Sequence, residues 1–188
     1  MIDENAFGLL VSYFQIEDDE YGLEPEEFVA RYRAFRAALD ECISGLPLGD
    51  GVRVLDLGHA VYLEVAEGEE TEDPFHWLRD VRARLSARDF LTVGVLSHGS
   101  RWVREPSDES DRSDPQGGGV SVLRASLPSE PFRRALYADA ASRVDDDCPG
   151  WGPGLYVDAE AIDALGKKLR NVPTALVASG ATFYRFAR

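Results

Sequence analysis

The chain has 188 residues, 44% of them hydrophobic, with 34 acidic against 20 basic side chains and a formal net charge of -14. That length suits one large domain or two small ones, and that apolar fraction is enough for a core and too high for a disordered chain. So negative a chain is repelled by phosphate backbones and anionic headgroups, which argues against nucleic-acid and membrane partners and favours a basic protein.

Residues Leu9–Ile16 are a β-type run, apolar on both faces as in a central strand. The acidic stretch Glu17–Glu20 ends it. A helix is expected from Pro25, a favoured first helical residue, with Glu26 and Glu27 complementing the positive helix end. Phe28, Tyr32, Phe35 and Leu39 recur at helical spacing, and Gly45 and Pro47 stop the helix. Val52–Leu57 reads as a short strand, with Gly58 and His59 in a hairpin turn. Val61, Leu63 and Val65 then alternate with Tyr62 and Glu64, the period of a half-covered strand. After the acidic loop Glu67–Glu72, Asp73 is placed to cap a helix that opens on Pro74. Leu78, Val81 and Leu85 form its apolar stripe, and Arg79, Arg82, Arg84 and Arg88 give it a basic outer face. Phe90–Leu96 is the next strand, with a possible extension past Gly99 to Val103.

The run 105–119 is polar, bounded by Pro and Gly, and free of apolar residues, so it reads as a linker or exposed loop, with an active-site lid as the alternative. Beyond it, Val120–Leu127 reads as a strand and Ser129 as the cap of a helix carrying Phe132, Leu136 and Ala140. Asp145–Gly154 is turn-rich. Leu155–Val157 is a short strand, and Asp158 caps a helix with Ile162, Leu165 and Leu169. Thr174–Phe186 is a strand, or a hairpin turning at Ser179-Gly180.

The order strand–helix–strand–strand–helix–strand in the first half is that of a ferredoxin-like split βαβ unit. The expected class is therefore α+β: a βαββαβ unit over 1–104, the linker 105–119, and a smaller α/β segment over 120–188. That last segment is of βαβαβ type, packed on or beside the first sheet, and is a candidate degenerate second unit. The double-sided apolar character of Leu9–Ile16 also calls for a cover over the helix-free face.

Cys42 and Cys148 are too few and too far apart for a disulfide framework or a zinc motif. The acidic start Met-Ile-Asp-Glu-Asn lacks the basic region of a signal peptide, and no apolar run approaches a membrane span. A cytoplasmic setting is expected. Eighteen of the twenty basic residues are Arg, a bias read as bacterial-type genome composition.

The most reactive-looking segment is Ser97-His98-Gly99-Ser100-Arg101-Trp102. It misses the Gly-x-Ser-x-Gly spacing of a nucleophile elbow, and a Ser next to a His in sequence does not aim the imidazole at the hydroxyl. A polar turn or bulge is the plainer reading, with His98, Ser100 and Arg101 as the catalytic candidates. His59, His76 and His98 form no metal-ligand pattern, so neither metal nor cofactor is expected. Asp108, Asp111 and Asp114 lack EF-hand spacing. Gly117–Gly119 precedes a strand, where a phosphate cradle needs a helix. Trp102, Trp151, Tyr156 and the run Asp145, Asp146 and Asp147 are candidate binding residues.

With no catalytic motif in view, the expected function is a non-catalytic, acidic protein-binding protein of the immunity, inhibitor or adaptor type. Its partner would be a basic protein. The alternatives are a small enzyme with a site between the halves built on His98, and a structural protein that self-associates through its sheet face.

Overall fold

The first strand, β1, covers Ile2–Tyr13 of the computed structural model, which describes residues 2–13, 24–46, 52–56, 60–67, 73–103, 154–166, 175–178 and 181–186. β1 starts seven residues before the apolar run because its polar first half pairs with another strand: Ile2 lies opposite Val103 and Asn5 opposite Ser100. Backbone pairing outweighs local propensity there. Helix α1 (Pro25–Ser44) opens on Pro25, and the Glu27 carboxylate accepts a hydrogen bond from the Glu24 N–H at 3.3 Å. Strands β2 (Val52–Asp56) and β3 (Ala60–Ala66) pair antiparallel. Helix α2 (Pro74–Ser86) is capped by Asp73, whose carboxylate accepts from the Phe75 N–H at 2.9 Å.

Strand β4 runs unbroken through Thr92–Val103. The plain reading of residues 97–102 as a turn or bulge is thereby corrected: each finds a partner in β1, from Ser97 opposite Gly8 to Trp102 opposite Asp3. Beyond it come β5 (Leu155–Asp158), the short helix α3 (Ala159–Ala164), β6 (Ala175–Ala178) and β7 (Ala181–Phe186). The strand and helix read at 120–127 and 129–140 lie outside the described residues, as does the run 105–119.

The strands form one seven-stranded sheet in the order β2-β3-β1-β4-β5-β7-β6. Its first four positions follow from three antiparallel pairings, β2 with β3, β3 with β1 and β1 with β4. The C-terminal strands extend the same sheet beside β4, which pairs parallel with β5. The molecule is thus mixed α+β, with helices laid on a largely antiparallel sheet.

Strand alternation sorts the side chains onto two faces. On one, Phe7, Leu9, Val11 and Tyr13 of β1 join Val61, Leu63, Leu96 and Val157 under Phe35 and Leu39 of α1 and Trp77, Leu78 and Val81 of α2. Tyr13 stacks on Phe35 at 4.5 Å between centroids, and Phe90 meets both rings edge-on. Arg31 fastens this corner, donating to the Tyr13 hydroxyl at 3.1 Å and to the Asp89 carbonyl at 2.9 Å. The opposite face is also dry: Leu10, Tyr62, Val95, Tyr156 and Phe183 are all buried within a single chain. A sheet face that is already covered cannot serve as a self-association surface. Two arginines of the expected basic face are paired: Arg84 of α2 with Asp80 at 2.7 Å, and Arg88, just past the helix, with Glu41 at 2.8 Å.

Candidate functional site

β4 is central, flanked by β1 and β5, so its residues see both faces of the sheet. Ser97 and His98 are neighbours in sequence and point to opposite sides. His98 lies on the helix-bearing face, where its ring packs on Phe7 at 4.8 Å and its Nε2 sits 3.2 Å from a Glu67 carboxylate oxygen. The imidazole is 13% exposed and Glu67 43%, so the pair lies at the edge of the core with one side towards water. Ser100 follows two residues on, half-buried, on the same face of β4 and opposite Asn5. Arg101 and Trp102 continue the strand opposite Glu4 and Asp3.

Ser97, fully buried on the other face, donates its hydroxyl hydrogen to Asp158 Oδ2. The same oxygen accepts from the His98 backbone N–H at 3.3 Å, and Oδ1 accepts from the Ala161 N–H at 2.7 Å, capping α3. Burial pushes the Asp158 carboxyl above its ordinary value; the Ser97 hydroxyl and the two backbone N–H groups pull the other way without cancelling it. On this face Glu64 of β3 faces Gly8 and Gly8 faces Ser97, so a polar row crosses the sheet. Glu64 is 3% exposed and accepts from the Tyr62 hydroxyl at 3.2 Å.

Of the residues singled out from sequence, His98 and Ser100 share a face, and Tyr156 is fully buried in β5. His76 is exposed in the first turn of α2. Trp151, Asp145, Asp146, Asp147 and His59 lie outside the described residues. Sequence reasoning did not find Glu67 or Ser97 as partners. Strict alternation through residues 92–103 would have separated Ser97 from His98; nothing local marks Glu67, which is 31 residues away from His98. Among the described residues, no group of three or more His, Cys, Asp or Glu side chains is placed to hold a metal ion.

No protein-family model matches the sequence, and no curated protein sequence matches it significantly. Solved structures do match. The guanylate cyclase domain of RhGC from Catenaria anguillulae, solved with GTP, is 11% identical, with 100% of each chain covered and a TM-score of 0.54. The adenylyl cyclase CyaB from P. aeruginosa is 9% identical, with 100% of this chain and 95% of that chain covered and a TM-score of 0.54. The dimeric guanylyl cyclase domain of the RhoGC fusion protein from the aquatic fungus Blastocladiella emersonii is 10% identical, covers 98% and 94%, and has a TM-score of 0.53. At such identity the likeness establishes the fold: that of nucleotide cyclase domains, a relative of the ferredoxin-like arrangement.

This finding overturns the expected function. Solved structures that share the fold along its length are guanylyl and adenylyl cyclases, so a non-catalytic protein of the immunity, inhibitor or adaptor type does not follow. The basic protein partner and the emphasis on protein–protein interaction fall with it. The physical error lay in reading a whole-surface charge as a statement about a site. Net charge sets solubility and long-range attraction and leaves a local pocket free to bind an anion. No described helix is long and apolar enough to cross a membrane.

Proposed function

We propose that this chain is a nucleotide cyclase domain acting on a purine nucleoside triphosphate. The observation that supports this reading is the match of fold along nearly the full length of both chains to cyclase domains, one of them solved with GTP. The reaction joins the ribose 3′-oxygen to the α-phosphorus and breaks the bond from that phosphorus to the β-phosphate oxygen. Pyrophosphate leaves with the electron pair, and the hydroxyl proton passes to a base. Phosphoryl transfer generally draws on a divalent cation, which one or two carboxylates hold together with the substrate's phosphates; among the described residues no cluster of three or more His, Cys, Asp or Glu side chains supplies a site by itself.

His98 and Ser100, which share a face of β4, are the leading candidate site residues; Arg101, also a candidate, falls at the next register position, out of phase with them. If His98 Nε2–H donates to Glu67, Nδ1 is left with its lone pair, ready to take a proton. The working architecture keeps the ferredoxin-like unit at 1–104, the acidic connection at 105–119 and a smaller segment over 120–188, whose strands β5, β7 and β6 extend the sheet beside β4. A second copy of the chain, in place of a basic protein, is the expected partner, since one neighbour is described as dimeric. The setting is cytoplasmic, where nucleoside triphosphates are abundant.

The test is to incubate the full chain with ATP or GTP, with Mg²⁺ or Mn²⁺, and to resolve the products by chromatography. Cyclic AMP or cyclic GMP is expected. No cyclic product with either nucleotide and either ion, from a chain folded by circular dichroism, would overturn the reading. The variant His98→Ala is expected to lower product formation by about a hundredfold while the chain stays folded; unchanged turnover would remove His98 from the site.

A further inference from the structure

Among the described residues, the C-terminal arm, β5 with α3, β7 and β6, is joined to the first four strands by the packing of α3 on β4 and by one short parallel ladder. It runs from Gly94–Leu155 to Leu96–Val157, whereas β1 and β4 pair from Ile2–Val103 to Tyr13–Thr92. Within the arm, β5 and β7 pair from Leu155–Phe186 to Asp158–Phe183, and β7 pairs in turn with β6. The arm therefore holds together through its own ladders. Leu155, Val157, Ala161 and Ile162 add apolar burial in the common core. That attraction is non-directional; the register of β5 against β4 is set by the backbone ladder, by the Gly94 N–H donating to the Gly154 carbonyl at 3.2 Å, and by side-chain contacts across the seam.

Asp158 supplies those contacts where the parallel ladder ends. One carboxylate oxygen accepts from the Ser97 hydroxyl and from the His98 N–H at 3.3 Å, both on β4, while the other accepts from Ala161 N–H at 2.7 Å on α3. Ser97 is 0% and Asp158 6% exposed, so no water replaces these bonds while the arm is closed. We propose that Asp158 is the clasp that holds the C-terminal arm on β4, and that the arm is a separately opening unit of the fold. Cooperative units of this kind open at less cost than the whole molecule. The inference does not depend on the nucleotide reading.

Hydrogen–deuterium exchange of the full chain, read by mass spectrometry on the wild type, Ser97→Ala and Asp158→Ala, tests it. Ser97→Ala leaves the cap on Ala161 intact and removes the side-chain tie to β4, while the His98 N–H bond to the same carboxylate oxygen remains. It is expected to speed exchange in Leu155–Asp158 and Ala181–Phe186 by roughly tenfold, with β1 and β3 unchanged. Asp158→Ala is expected to speed the same amides further, and the double variant to add nothing to Asp158→Ala. Faster exchange confined to Ala159–Ala164 would reduce Asp158 to a helix cap and overturn the proposal. Equal acceleration in every strand, or none in the arm, would overturn it as well. If Asp158→Ala does not fold, Ser97→Ala alone decides by the same criterion.

Discussion

Asp158 is a residue whose chemistry the fold alters by burial. Its carboxyl titrates above its ordinary value of 3.8, with desolvation as the leading cause and Glu160 adding a smaller push in the same direction. The folded state therefore binds this proton more tightly than the unfolded state. Its contribution to stability is fully present below the unfolded value and is lost as pH rises through the raised folded value. The difference in melting temperature between wild type and Asp158→Asn should be most favourable to the wild type at low pH and decline as pH is raised from 3.8. A difference that is flat or grows with pH would contradict this. Gly94 carries a second residue-scale prediction. A Cβ built there would lie 2.5 Å from Arg82 Cδ and 3.2 Å from Leu155 Cδ1, so Gly94→Ala forces Arg82 aside and should cost about 1–3 kcal/mol in urea unfolding. Arg82→Ala clears that space, so the double variant should lose less than the sum of the singles. Strict additivity would mean that Leu155 sets the limit.

At the scale of elements, α1 is held by its second half. Phe35, Ala38, Leu39 and Cys42 are buried, while Phe28 and Tyr32 of the first half stack on each other and stay half-exposed. Phe35→Ala removes a fully buried ring between Tyr13 and Phe90 and should cost about 3–5 kcal/mol, whereas Phe28→Ala should cost clearly less. Equal losses in chemical denaturation would show that the first half of α1 is anchored as firmly as the second. The same elements show what local patterning can reveal. Periodicity located α1 and α2, because each buries one side of a regular repeat; alternation located β3 too, but Tyr62 and Glu64 on its other face are buried as well, so it is a fully covered strand and not the half-covered one its period implied. Asp73 and Asp158 were legible as caps because a cap is a contact within three residues. The reach of β1 back to Ile2, and the strand character of residues 97–103, were obscured. Their residues are polar or small, and only pairing between β1 and β4 makes them strand. The Ser97–Asp158 contact spans 61 positions, and no local pattern encodes it.

For the whole molecule, the decisive information was shape. A net charge of -14 and the absence of a familiar motif pointed towards a binding protein, yet the fold is that of nucleotide cyclase domains at 9–11% identity. At that identity the likeness shows in the fold alone, because burial constrains residue identity more loosely than residue class, and the alternation that builds a sheet needs only the class. A fold hosts more than one function, so the cyclase reading stands or falls on its products. The most direct measurement is ³¹P NMR of the full chain with GTP and, separately, with ATP, in the presence of Mg²⁺ or Mn²⁺. Pyrophosphate and the cyclic phosphodiester are expected to grow in equal amounts from one of the two nucleotides. Triphosphate signals that stay unchanged with both, or orthophosphate released without a cyclic product, would contradict the cyclase reading.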